Sequence, residues 1–305
     1  MTETALAALV IILAGALARH FRIIRPADGP VLVRFVIYLA LPALVFLILI
    51  DADLDAALVL VPIAAFAIHF LLLGLSWLAS RVWGMERPRA GALIVATAVG
   101  NTGFFGLPLI AASGGDFSLP AAVMYDSLGT GIITWTSTVA VSTAYGRADH
   151  EPKVSLSDLG RSLLLPPNWA LAAGLIANAA GWHDLPALVE RPLDLLAAAV
   201  LPLTMVYAGL MIDLRGLPRL WGEVSYAVVV RLGIAAVIGL GVATALGLSG
   251  ATLNTVVIMA AMPTAMMSLV IGARSGLRAD VLAAAVVVTT LLSTATLPAW
   301  QAVLF

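Results

Sequence analysis

Two short stretches carry residues able to bind a solute, and each does so by interrupting a helix. The first reads Ala98-Val99-Gly100-Asn101-Thr102-Gly103-Phe104-Phe105-Gly106-Leu107-Pro108. Its glycines and proline oppose a continuous helix, while Asn101 and Thr102 supply donors and acceptors at the interruption. The second runs from Ile258 to Ser268, with Pro263 near its middle and Thr264 beside it. Met259, Met262, Met266 and Met267 surround that proline, and adaptable thioethers suit either a mobile apolar surface or a gap-filled core. In lipid, backbone groups freed by such a break must be satisfied by protein or by cavity water. Half-helix ends then offer N–H groups to anions and carbonyls to cations. The alternative use of the same residues is a glycine-rich packing face or a plain proline kink.

Three ionisable residues fall inside apolar runs: His69, Asp126 and Arg231. Charges within a membrane are costly and default to functional hypotheses. Asp126 can carry a proton, bind Na⁺ or pair with Arg231, and Arg231 can instead face an anionic substrate. His69 reads as a hydrogen-bonded core residue or a relay. Arg34 lies near a boundary, where its long stem lets the charge reach water. Asp51, Asp53 and Asp55 form a short acidic loop without the glycine turn and further ligands that calcium requires. There is no GxxxxGK[ST] or GxSxG motif and no HExxH pair. With no cysteine there is no thiolate nucleophile or Cys-ligated metal. No nucleophile–base constellation is visible, so the chain does not read as an enzyme and no cofactor is expected beyond coupling to Na⁺ or H⁺.

The elements that must position these residues follow from composition. The 305 residues are 62% hydrophobic and only 11% charged, against about half and about a quarter in soluble domains. A folded surface cannot hide that much apolar area from water, so the solvent of most of the chain is lipid. A net charge of −1 gives no footprint for nucleic acid. At about 20 apolar residues per span, the runs 4–18, 35–50, 56–80, 90–115, 117–146, 162–183, 195–212, about 222–246, 250–273 and 281–305 predict ten helices. Gly247-Leu248-Ser249-Gly250 is the turn that divides the longest apolar run. The first run reads as a retained helix rather than a cleaved signal, because Glu3 precedes it and Arg19, Arg22 and Arg25 follow it.

Alternate connections hold 13 of the 16 basic residues. The positive-inside rule then sets both termini outside and the polar connection 146–165 in the cytoplasm. Five spans on either side of that linker (1–145 and 166–305) make two repeats of opposite orientation, an architecture frequent among secondary transporters. Leu41-Pro42 recurs as Leu201-Pro202 in the second helix of each half, and the fourth helix of each half is interrupted.

Taken together, Leu41-Pro42-Ala43-Leu44-Val45-Phe46, the Gly100–Pro108 stretch, Pro167-Asn168-Trp169-Ala170, Leu201-Pro202-Leu203, Met262-Pro263-Thr264-Ala265 through Leu277 and Asp280, and Thr289-Thr290-Leu291-Leu292-Ser293 resemble the auxin efflux carrier family. These are bacterial permeases related to the plant PIN-type exporters. The resemblance covers essentially the whole chain. It implies an all-α polytopic membrane protein of two inverted five-helix repeats, as in bile-acid symporters, with helices four and nine crossing where Pro108 and Pro263 break them. It also implies a scaffold and homodimer contact from helices one, two, six and seven, and an elevator-type transport domain from the rest. By the same resemblance, substrate sits among Asn101, Thr102, Gly103, Pro108, Thr130, Pro263 and Thr264, with Leu41 and Pro42 as an apolar wall. The long central loop of the plant exporters is here only about 20 residues, so regulation through it is not expected.

The expected function is secondary active or facilitative transport of a small organic anion across a bacterial inner membrane. One alternative is a Na⁺- or H⁺-coupled symporter or antiporter with Asp126 as coupling site, and His69 or Arg231 as relay or counter-charge. A second is a channel or receptor-like membrane protein.

Overall fold

The computed structural model describes residues 1–147, 160, 164–212 and 217–304. Most of the linker 146–165, with Lys153 and Arg161, lies outside the described residues, as does Arg215. The described part is helical, without a strand. In chain order its segments are α1 (Thr2–His20), α2 (Pro26–Ile50), α3 (Ala56–Val82), α4 (Arg87–Ala98), α5 (Thr102–Ser113), α6 (119–145), α7 (Pro166–Ala179), α8 (Ala187–Leu210), α9 (Trp221–Ala245), α10 (Gly250–Ala260), α11 (Met266–Arg274) and α12 (Ala279–Leu304). Helices α1, α2, α3, α8, α9 and α12 are each long and apolar enough to cross a membrane. The segments α5 and α10 are shorter apolar helices.

Local chemistry explains the boundaries. Gly247 adopts φ +76°, left-handed, and ends the helix that precedes it. Ser118 caps α6 by accepting a hydrogen bond from the Ala121 amide, with Pro120 in the first turn. Two helices start earlier than apolar runs suggest. The second begins at Pro26 rather than 35, and α8 at Ala187 rather than 195. Their N-terminal portions carry Arg34 and Arg191, which a hydropathy reading excludes and a helix tolerates where the side chain reaches water.

Helices α1, α2, α7 and α8 pack as one group, through α1 on α8 and α2 on both α7 and α8. Helices α3, α4, α6 and α9 to α12 pack as another, and the two meet mainly through α5, α6 and α12. The α1–α8 contact is backbone-close. A Cβ at Gly15 would meet the Val206 carbonyl, and one at Gly209 the Ile12 carbonyl. Between apolar helices in lipid, such close approach is the main source of association. Gly15→Leu is therefore expected to cost about 2–3 kcal/mol by overpacking and to lower the melting temperature in detergent by several degrees. A size-exclusion thermal melt reads this directly, with Gly74→Leu as control, since nothing lies within 4 Å of a Cβ there.

Candidate functional site

Helix α4 stops at Ala98, and Val99 is extended (φ −120°, ψ 122°). Helix α10 stops at Ala260, and Ala265 is extended (φ −65°, ψ 132°) before α11 begins. The two extended stretches run antiparallel, with Gly100 opposite Thr264. The Asn101 amide donates to the Pro263 carbonyl at 2.7 Å, and the Ala265 amide donates to the Val99 carbonyl at 3.0 Å. Each break thus satisfies backbone groups that the other exposes, which lipid cannot do. Thr264 is fully buried behind the crossing. Its hydroxyl donates to the Ala96 carbonyl at 2.8 Å, and its amide to Thr289 Oγ1 at 3.0 Å.

Pro263 lies at the second break, where its missing N–H and the restriction it places on Met262 end the helix. Pro108 does not lie at the first. It sits inside α5, where π-helical turns over Thr102–Gly106 precede it, about 10 Å along the axis from Asn101 at 1.5 Å per residue. The break equivalent to Pro263–Thr264 is the Val99–Asn101 segment, which glycine rather than proline makes possible.

Four half-helix ends meet here, sorted by polarity. The N-terminal ends of α5 and α11 border a cavity of about 160 Å³, through Asn101, Thr102, Gly103 and Phe104 on one side and Ala265 and Met267 on the other. Ile37 and Leu41 of α2, Asp126, Ser127, Thr130, Thr134 and Trp135 of α6, and Pro167 and Asn168 at the start of α7 complete its wall. Asn101 is buried, and its Nδ2 has no hydrogen-bond partner among the described residues. Thr102 Oγ1 donates to Asp126 Oδ1 at 2.5 Å. A Cβ at Gly103 would come 2.9 Å from Asp126 Oδ2, so the missing side chain is what seats the carboxylate against α5.

The C-terminal ends of α4 and α10 face away from that cavity, towards Arg231 and His69. Arg231 is 2% exposed. Its guanidinium donates to the Met262 carbonyl at 2.6 and 3.1 Å, to the Ala260 carbonyl at 2.8 Å and to the Thr97 carbonyl at 3.4 Å. His69 Nδ1 donates to the Ala98 carbonyl at 3.0 Å, which leaves Nε2 to accept from Ser137 Oγ at 2.7 Å. Both side chains border a second, polar cavity of about 10 Å³, room for one water.

Of the residues singled out in the sequence, the structure gathers Leu41, Asn101, Thr102, Gly103, Asp126 and Thr130 around the larger cavity. Pro42, Pro108, Pro263, Thr264, His69 and Arg231 are not among its lining residues. Asp126 and Arg231 do not pair, because one bonds Thr102 and the other bonds carbonyls. Sequence reading missed Ile37, Phe104, Ser127 and Trp135. A signal existed in the polar stretch Asp126-Ser127 and in Thr134-Trp135-Thr136, but only the fold turns those faces inward. It also missed Glu223, 2% exposed, which binds Arg89 and so ties α9 to α4. Four of the helices carry π-helical turns, at Val36–Ala40, Thr102–Gly106, Tyr125–Thr130, Thr134–Thr138 and Val229–Ile234; α6 contains two of them. Such turns are uncommon and concentrate at functional sites, and each here supplies a wall residue of the cavity or Arg231.

Comparison with known proteins bears on this arrangement as a whole. The model of the membrane transport protein family matches residues 1–301. The chain belongs to that family, the one of the auxin efflux carriers. As a family member it is an integral membrane protein of transport rather than an enzyme. Two archaeal members of similar sequence are uncharacterized transporters. That of Methanothermobacter thermautotrophicus is 30% identical over 99% of this chain and 98% of its own. That of Methanocaldococcus jannaschii is 25% identical over 98% and 97%. A protein of Rhizobium meliloti, provisionally named a malonate transporter, is 27% identical over 86% of this chain and 82% of its own.

Proposed function

We propose that this protein is a secondary transporter of a small organic anion, held by one carboxylate at the N-terminal ends of α5 and α11. The observation that carries the reading is the convergence of those two ends on one cavity that Asn101 also lines, with a side-chain amide that has no partner among the described residues. Helix N-termini carry about half a positive charge each and present free N–H groups. The volume matches the ~150 Å³ in which a benzene-sized molecule fits, the size class of short dicarboxylates. The name of the Rhizobium meliloti relative points the same way.

The architecture proposed is ten spans in two inverted repeats, counting α4 with α5 and α10 with α11 as one span each. Matching roles support it. His69 on α3 meets a carbonyl at the end of α4, as Arg231 on α9 meets those at the end of α10. The two breaks pair with each other. The cavity lies between the group α2 and α7 and the group α5, α6 and α11, as alternating access by an elevator motion of one group against the other requires. The asymmetry of basic residues supports external termini and a cytoplasmic linker, and the family resemblance suggests the inner membrane. A homodimer through α1, α2, α7 and α8 follows from the family resemblance.

A second reading, coupling to protons, is favoured by one observation. Among the described residues lining the cavity, Asp126 is the only one with an ionisable side chain. The groups facing it from α2, α5, α7 and α11 are neutral, and Arg231, His69 and Tyr125 face the smaller cavity instead. An anion entering beside an ionised carboxylate meets like-charge repulsion at low dielectric. A proton on Asp126 removes it.

The test is counterflow of radiolabelled malonate in proteoliposomes, with succinate, a branched-chain keto acid and indole acetate as competitors. Saturable exchange is expected, and linear unsaturable flux would favour a channel. Flux is expected to rise as pH falls, since the protonated site admits the anion. Asp126→Asn, permanently neutral, should transport at all pH values with that dependence gone. A variant that keeps the wild-type pH profile, or a flux that follows Na⁺ instead, would remove the proton reading.

A further inference from the structure

We propose that Arg231 is a tethered cation that holds the carbonyl ends of α4 and α10 together, in the seat where a mobile coupling cation would otherwise sit. It acts as a positioning residue for the crossing and makes Na⁺ unnecessary there. In broken-helix transporters generally, half-helix C-terminal ends and unwound carbonyls are what coordinate alkali cations. Here the carbonyls of Thr97, Ala260 and Met262 converge, and the guanidinium already fills the place.

Charge arithmetic supports the assignment. Arg231 is buried, and no carboxylate pairs with it among the described residues. A buried cation without a counter-charge is costly. The C-terminal ends of α4 and α10 supply about half a negative charge each, and together they balance one guanidinium. The planar fork fits two helix ends at once, which a point charge such as an ammonium does less well. The crossing is built around it, since a Cβ at Gly100 would overlap Nη2. Locking the carbonyl ends fixes the opposite ends of α5 and α11, where the anion is proposed to bind. Arg231 is thus neither the partner of Asp126 nor a contact of the substrate.

The inference rests on the transport reading only in its flux arm. Wild-type protein is expected to exchange malonate equally in Na⁺, K⁺ and choline media. Arg231→Ala should lose at least tenfold in flux and recover much of it in millimolar guanidinium, but not in urea, a neutral molecule of the same shape. Independently of any substrate, the melting temperature of purified Arg231→Ala should rise with guanidinium at those concentrations, while that of the wild type does not. Arg231→Lys should keep flux within about fivefold and Arg231→Gln should lose it, a comparison that stands even if the alanine variant does not fold. Wild-type dependence on Na⁺, equal behaviour of the lysine and glutamine variants, or a folded Arg231→Ala whose melting ignores guanidinium would overturn the assignment. If the wild type moves no anion but the melting arm responds as stated, the substrate reading falls and the tethered cation stands.

Discussion

Asn101→Ala is expected to weaken the apparent affinity for the transported anion by about 10- to 100-fold while leaving the protein as stable as before. A hydrogen bond to a charged group contributes roughly 1.5–3 kcal/mol, and each 1.4 kcal/mol is about tenfold in affinity. What sets this residue apart is that its side chain does nothing visible for the fold. Nδ2 is buried without a partner among the described residues, and an unsatisfied buried donor costs stability rather than providing it. The bond that holds the crossing comes from the Asn101 main chain, whose amide donates to the Pro263 carbonyl, and alanine retains it. The expected signature is therefore a raised half-saturation in counterflow together with an unchanged or slightly higher melting temperature. Asn101→Asp should be worse, since it removes the donors and sets a second carboxylate close to Asp126. Affinity within threefold of wild type in the alanine variant would remove Asn101 from the site.

Gly100→Ala is expected to do the opposite, damaging fold and transport together. The added Cβ would overlap Arg231 Nη2 and lie 3.4 Å from the Met262 carbonyl. The guanidinium cannot step aside freely, because its bonds to Ala260 and Met262 hold it. Overpacking costs about 1–3 kcal/mol, and loss of a charged hydrogen bond adds roughly 1.5–3. At roughly 2–4 °C per kcal/mol, the melting temperature should fall by about 10 °C, with transport lost at the assay temperature. Backbone strain is not the cause, because Gly100 is not among the glycines with positive φ. Gly233→Ala is the control: it is two residues from Arg231, and nothing lies within 4 Å of its Cβ. Adding Arg231→Lys to Gly100→Ala should return part of the stability, as coupled neighbours do. No change in melting for Gly100→Ala would mean that the guanidinium is mobile.

Much of this was legible in the residues themselves, because the properties involved are local. An apolar fraction of 62% forces lipid on the chain as solvent; lipid admits only helices or closed barrels, and long unbroken apolar runs select helices. The turn at Gly247 and the interruptions near Gly100 and Pro263 follow from what glycine and proline do to a backbone wherever they stand. Arg231, Asp126 and His69 were conspicuous because a charge in an apolar run is expensive in any fold.

Partners were not legible, because they depend on which ends the fold brings together. Asp126 and Arg231 invite pairing on paper, but the tertiary structure gives Asp126 to Thr102 and Arg231 to carbonyls of α4 and α10. Pro108 stands out as a breaker and yet lies in the resumed helix, because π-helical turns before it absorb the fault. Trp135 and Phe104 look like any lipid-facing aromatic until packing turns them to the cavity. Local conformational preference decides that a helix stops. Only the meeting of two stopped helices, more than 150 residues apart along the chain, decides that their carbonyls face a cation and their N–H ends face a cavity, since lipid leaves each break no other partner.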